Sequence, residues 1–234
     1  MNKQIITVAV ICSASALIIW FLWSGLWLER LHIFSRMPLH GKNWKNETEK
    51  FEKLYPKEGA DCFFLGDSHI EQCEWQELLP EIHSANRGIG SEPTNGLLSR
   101  ISFLPDSGNG RFVILQTGIN DIIYGEDVST VSLRYAEILD YLKDRNYQPV
   151  ATLVFPVRYL KNTNDKVSAL NAEITRICRE KKCSIININP TITSGNLLSA
   201  EFSADGIHLN YRGYCLWKKE IRKALKLAPD SCFR

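Results

Sequence analysis

Between residues 60 and 225 the chain alternates short apolar runs with segments of helical periodicity, and this alternation constrains the fold more than any other feature. The apolar runs lie at 62–65, at a short stretch ending near Asn86, and at 112–115, 150–155 and 185–188. Between the third and fourth runs, Val131, Tyr135, Ile138 and Leu142 recur at helical spacing; Val167, Leu170, Ile174 and Ile177 do the same between the fourth and fifth. A last helix follows Asn210, with Tyr214, Trp217, Ile221 and Leu225 on one face and lysines and arginines elsewhere. Strands that are apolar throughout, separated by amphipathic helices, predict an α/β fold. Its parallel sheet is covered on both faces and its crossovers are right-handed.

That topology brings three polar turns to one edge. Gly66-Asp67-Ser68-His69 follows the first strand, Asn86-Arg87-Gly88-Ile89-Gly90-Ser91 the second, and Gly118-Ile119-Asn120-Asp121 the third. The carboxyl edge of an open α/β sheet is where ligands bind and chemistry occurs. Ser68 is therefore the candidate nucleophile, although Gly-Asp-Ser is also ordinary turn and helix-cap composition. A serine hydroxyl is a weak nucleophile until a base takes its proton. Asn120 offers a neutral side-chain donor to a developing oxyanion, or else caps a turn. The 88–91 loop offers backbone amides at the entry to a helix, or is a flexible connection.

The base is sought among five histidines. His32 and His40 precede the domain, His69 abuts the serine and His83 stands before the second strand. Only His208 has a carboxylate at turn distance, in Asp205-Gly206-Ile207-His208. An aspartate three residues earlier can accept from Nδ1 and leave Nε2 to face the serine, whereas a side chain adjacent to the nucleophile generally points elsewhere.

Residues 5–27 carry no charge, and at about 1.5 Å per residue this run spans the ~30 Å hydrocarbon core of a bilayer. Trp20, Trp23 and Trp27 cluster at its far end like an interfacial belt. A cleaved signal peptide and a buried core helix are the competing readings. The first is weakened because Ala14-Ser15-Ala16 is followed by more apolar residues. The expected organisation is a transmembrane anchor at 1–28, a juxtamembrane connector of little independent fold at 29–58, and a catalytic domain at 59–234. The domain is expected on the extracytoplasmic (periplasmic) side, although Arg30, Arg36, Lys42 and Lys45 do not favour that orientation. A net charge of +2 gives no ground for nucleic-acid binding. The seven cysteines form no Cys-x-x-Cys pair, so no metal site is expected; Cys178 and Cys183 are either paired or free.

Taken together, Gly66-Asp67-Ser68, the 86–91 loop, Gly118-x-Asn120-Asp121 and Asp205-x-x-His208 resemble, in order and spacing, the SGNH/GDSL hydrolases. The Asn-Arg-Gly-Ile-Gly run, Leu97-Leu98-x-Arg100 and the 205–214 stretch are similar to the branch of acetylhydrolases related to the platelet-activating-factor enzyme. The resemblance implies a three-layer α/β/α, flavodoxin-like fold with a five-stranded parallel sheet and ester hydrolysis without a cofactor. It implies Ser68 as nucleophile, His208 as base and Asp205 as its orienting carboxylate. The oxyanion donors implied are the Ser68 amide, an amide of the loop and the Asn120 side chain. Two positions depart from the family pattern. Ser91, preceded by Gly90, stands where a glycine is usual, and His69 stands where leucine or isoleucine is common.

The function expected is a serine esterase acting on small acyl esters, O-acetyl groups of envelope saccharides or lysolipid-like molecules. Transfer of the acyl group to a saccharide hydroxyl and a non-catalytic binding module are the alternatives.

Overall fold

The computed structural model describes residues 42–55, 59–159 and 161–227. The expected membrane anchor lies outside them, and no helix among the described residues is long and apolar enough to cross a membrane. Helix α1 (Lys42–Lys53) opens the described chain within the stretch expected to be a connector. Its averaged composition is polar, but Trp44, Thr48 and Phe51 recur at i, i+4 and i+7. Thr48 and Phe51 are buried. One narrow stripe of this kind is enough to dock a helix whose other faces are charged.

The chain then runs β1 (Cys62–Gly66), α2 (Ser68–Glu71), α3 (Trp75–Leu78), β2 (Ser84–Gly88), α4 (Thr94–Arg100), β3 (Phe112–Gln116), α5 (Ile119–Ile123) and α6 (Val128–Asp144). It continues through β4 (Gln148–Thr152), α7 (Lys161–Glu180), β5 (Ser184–Ile186), α8 (Asn189–Ile192), the strands β6 (Thr193–Ser194) and β7 (Leu197–Leu198), and α9 (Tyr211–Ala224). Five strands form one sheet in the order β2-β1-β3-β4-β5, every neighbouring pair parallel. β6 and β7 make a separate antiparallel pair. In this strand order the direction of winding reverses between β1 and β3, where a crevice opens above the carboxyl ends.

Alternation along each strand divides the core into two layers. Phe63, Leu65, Val113 and Leu115 pack with Leu97 of α4, Val131, Tyr135 and Ile138 of α6, and Leu170 and Ile174 of α7. Cys62, Phe64, Ile114 and Ile186 face the other way, onto Trp75, Ile192, Trp217 and Ile221. Trp217 is fully buried, donates its indole N–H to Thr152 Oγ1 at 3.0 Å, and stands edge-on to Trp75 and Phe155. Burying a large apolar side chain of this kind contributes roughly 1.5–3 kcal/mol.

The apolar run 150–155 outlasts the strand it feeds. β4 ends at Thr152, yet Leu153, Val154 and Phe155 stay buried. Asn171 of α7 takes over from the missing neighbour: its Oδ1 accepts the Val154 amide at 2.8 Å and its Nδ2 donates to the Val154 carbonyl at 2.9 Å. Asn164 does the same for Val157, at 2.8 and 2.6 Å. A buried backbone must find such partners when the ladder stops. Cys62, Cys73, Cys178, Cys183 and Cys215 are free thiols.

Candidate active site

The turn that carries Ser68, the candidate nucleophile, is set by Gly66. Its φ of 153° and the carbonyl of Gln116, which a Cβ at this position would meet at 1.8 Å, admit only glycine. The chain can thus turn directly from β1 into α2. Asp67 caps α2, its Oδ1 accepting the His69 amide at 3.0 Å. Ser68 is the first residue of the helix, so its amide has no intrahelical partner, and among the described residues no acceptor meets it.

The structure brings Ser68, His208 and Asp205 together. Ser68 Oγ lies 2.9 Å from His208 Nε2, and His208 Nδ1 lies 2.7 Å from Asp205 Oδ2. A carboxylate only accepts, so Nδ1 carries the ring proton and Nε2 is left to accept from the serine hydroxyl. Asp205 Oδ1 also accepts the amides of Ile207 and His208, each at 2.8 Å. Partial burial works against the ionised form of Asp205. The His208 hydrogen bond, the two amides and the electrostatic attraction of His208 outweigh it and hold the carboxyl well below its usual range. The Asp205 side chain is 54% exposed and that of His208 28%, so the carboxylate is fixed by its bonds rather than by enclosure.

The loop carrying the base has little regular structure and is tied down by side chains. Arg158 donates from Nε to the Leu198 carbonyl at 3.1 Å and from Nη2 to those of Ser199 and Ser203 at 3.1 and 2.6 Å. Its own amide donates to the Gly206 carbonyl at 2.8 Å. Ser203 Oγ accepts the Gly206 amide at 2.8 Å and reaches Asp205 Oδ1 at 3.3 Å. Downstream, Asn210 caps α9 by accepting the Arg212 amide at 3.0 Å. Trp75 packs, stacked on Phe64 at 4.1 Å, whereas Arg158 is the tie just described.

His69 does not compete for the serine. It is buried beneath the site, with Nε2 3.1 Å from the Ile207 carbonyl and Nδ1 3.3 Å from Asp67 Oδ1. Its own carbonyl accepts the Tyr214 hydroxyl of α9 at 2.8 Å.

The 88–91 loop lies against the nucleophile turn. The Ile89 amide donates to the Gly66 carbonyl at 3.0 Å, and a Cβ on Gly90 would meet the Glu71 carboxylate of α2. Ser91 has φ 61°, the left-handed conformation that favours glycine. No acceptor among the described residues meets the amide of Gly90 or of Ser91. Asn120 Nδ2 donates one proton to the Glu92 carbonyl at 3.1 Å, which fixes the amide plane and leaves its second proton for a ligand. Asp121, beside it, is buried and accepts from Thr94 Oγ1 at 2.6 Å and the Thr94 amide at 2.9 Å. Burial pushes its carboxyl up to about 6, against the Thr94 hydrogen bonds and the Arg134 guanidinium.

Glu92 and Thr94 support the site and were not singled out from the sequence; Tyr214, read there as part of an apolar helix face, supports it as well. A glutamate in a polar loop reads as solvated, and nothing local marks it as buried. Among the described residues no group of three or more histidine, cysteine or carboxylate side chains is placed to hold a metal ion.

A hydroxyl bonded to an imidazole that is itself bonded to a carboxylate is what a serine needs to act as a nucleophile, on whatever fold it occurs. Placed at the winding reversal of a parallel sheet, it defines the class of α/β serine hydrolases. The chain belongs to the GDSL-like lipase/acylhydrolase family, whose model matches residues 64–216, and it is an SGNH-type ester hydrolase. Its fold is also that of a GDSL-like lipase from Bacteroides thetaiotaomicron. That match has 20% identity and a TM-score of 0.66, and covers 79% of this chain and 97% of the other. A Streptococcus pneumonia protein named for platelet activating factor matches at 20% identity and TM-score 0.65, over 88% and 97% of the two chains. A catalytic mutant of an acetylxylan esterase from Geobacillus stearothermophilus matches at 15% identity and TM-score 0.58, over 73% and 95%. A comparison with curated proteins found no match.

Proposed function

We propose that the protein is a serine esterase that removes small acyl groups, O-acetyl foremost, from envelope saccharides or lysolipid-like molecules by way of an acyl-enzyme. The observation that carries this reading is the 2.9 Å approach of Ser68 Oγ to His208 Nε2. Ser68 Oγ attacks the ester carbonyl as its proton passes to His208 Nε2, and the carbonyl electron pair moves onto oxygen. The amides of Ser68 and of Ser91 or Gly90, with Asn120 Nδ2, receive that oxyanion. Collapse of the tetrahedral intermediate breaks the bond to the alcohol oxygen, which leaves with the proton from His208. Water then repeats the sequence on the acyl-enzyme and releases the acid. Asp205 keeps the imidazole in the required tautomer and balances its transient charge.

The acetylxylan esterase among the structural neighbours supports an acetylated sugar as substrate. A saccharide hydroxyl in place of water would make the same acyl-enzyme a transferase. The partly exposed His208 ring leaves either acceptor room to approach. The uncharged run at 5–27 supports a membrane-anchored enzyme with its domain on the extracytoplasmic side.

The test uses the full-length chain in detergent. Wild-type protein is expected to hydrolyse p-nitrophenyl acetate and to be labelled at Ser68 by a fluorophosphonate; Ser68→Ala and His208→Ala are expected to abolish turnover. Near-normal turnover by Ser68→Ala excludes the mechanism. Product analysis with an added saccharide acceptor separates hydrolysis from transfer.

A further inference from the structure

The Glu92 side chain is fully buried, yet it takes no direct part in the chemistry above. Three donors converge on its carboxylate. Arg100 Nε reaches Oε1 at 2.7 Å, Arg100 Nη2 reaches Oε2 at 2.5 Å, and the indole N–H of Trp44 reaches Oε1 at 2.7 Å. Arg100 Nη2 also donates to the Arg87 carbonyl at 2.8 Å, so the guanidinium is fixed in turn to the end of β2. Desolvation raises the carboxyl of Glu92, and the ion pair with Arg100 and the Trp44 bond oppose it. A buried carboxylate is tolerated only with such partners.

What Glu92 holds is the oxyanion side of the site. Its main chain follows Ser91, the residue in the left-handed conformation, and its own carbonyl accepts Asn120 Nδ2 at 3.1 Å. Two of the expected oxyanion donors are therefore referred to one residue: the Ser91 amide through the chain and the Asn120 amide through a hydrogen bond. One of the three bonds that fix that residue comes from α1, which precedes the 64–216 span typical of the family. Phe51 of α1 extends the contact, lying under both Arg87 and Arg100 with guanidinium-to-ring distances of 5.4 and 5.3 Å.

We propose that Glu92 is a positioning residue for the oxyanion donors and that Trp44 completes its clamp, making α1 a working part of the catalytic domain. The proposal deepens the esterase reading and rests on it wherever turnover is measured. An oxyanion site stabilises only when its donors are aimed before the charge develops, so a small rotation of the Glu92 peptide weakens two donors at once.

Trp44→Phe keeps an aromatic ring and removes the N–H. On p-nitrophenyl acetate it is expected to lower kcat about 5- to 10-fold, with KM changed less than about twofold. In an Asn120→Ala background the same substitution is expected to lower kcat by a clearly smaller factor, because only the Ser91 amide is then left for it to misaim. Equal losses in both backgrounds, or no loss in the first, overturn the proposal. Hydrogen exchange over residues 88–93, read by mass spectrometry, supplies an arm that does not depend on turnover. It is expected to quicken in Trp44→Phe, and unchanged exchange also overturns the proposal. Failure of wild-type turnover, or its survival in Ser68→Ala, counts against the esterase reading alone, and the exchange arm then decides the role of Trp44.

Discussion

The His69 ring donates from Nε2 to the Ile207 carbonyl at 3.1 Å, so the residue after Ser68 holds the residue before His208. A carbonyl has no proton to give, which fixes the proton on Nε2. This bond spans 138 positions of sequence and runs beside the 2.9 Å contact of Ser68 with His208. It gives a physical reason for a histidine directly after Ser68. His69→Leu is expected to lower kcat by about 10- to 100-fold with little change in KM, because it frees the loop that aims His208 at Ser68. His69→Gln, whose amide can still reach the carbonyl, is expected to recover part of the loss. Steady-state kinetics of the two variants check this, and equal activity in His69→Leu and wild type contradicts it.

Asp205 owes its ionisation to the bonds it accepts and stays charged throughout the neutral range. Asp205→Asn is expected to preserve the fold and to lower kcat by about 10³- to 10⁴-fold, because an amide can present a proton to Nδ1 and so favour the wrong tautomer. Melting temperature and kcat measured side by side separate this outcome from unfolding.

Ser91 sits at φ 61°, where a side chain with a Cβ is strained by roughly 1 kcal/mol or more. The amide, not the hydroxyl, is its proposed contribution to the oxyanion. Ser91→Gly is therefore expected to leave kcat within about twofold of wild type and to raise stability by up to ~1 kcal/mol. Thermal melting and p-nitrophenyl acetate turnover provide the check; a large loss of activity assigns the hydroxyl a role.

Asp121 ties the Asn120 turn to the start of α4 and has its carboxyl raised to about 6 by burial. A carboxyl that is raised on folding favours the folded state when protonated. Its contribution is fully present below the ordinary value of 3.8 and is lost as pH rises through about 6. Asp121→Asn removes this titration. Between about pH 7 and pH 4 the stability of wild type relative to the variant is expected to move in favour of wild type as pH falls. Denaturant melts at several pH values measure the difference, and a constant difference refutes the assignment.

The parts legible in the sequence were those with a repeating physical signature. The apolar runs at 62–65, 112–115 and 150–155 fed β1, β3 and β4, inner strands of the sheet, and the run at 185–188 fed β5 at its edge. The short run near Asn86 became the edge strand β2, whose residues are mostly half-buried, so its signal was weak. Asp205 and His208 were legible because their geometry is local. Helix α1 was not, since one stripe of three residues disappears in a composition dominated by charge. Glu92 and Arg158 were not, because a charged side chain looks solvated until the distant carbonyls and guanidinium that receive it are known. Residues 1–28 lie outside the described structure, so the anchor and its orientation stand as expected from the sequence.

The ties around the base loop end mostly on main-chain atoms: Arg158 on three carbonyls, His69 on a fourth, and Asp205 on two amides. Every amino acid except proline supplies both groups. The side chains flanking the loop are thus free to drift over evolutionary time while the geometry persists, and they can reshape the surface met by the departing alcohol without retuning the proton transfer. A loop fixed in this manner leaves its surface open to change while the scaffold, shared here at 20% identity, stays the same.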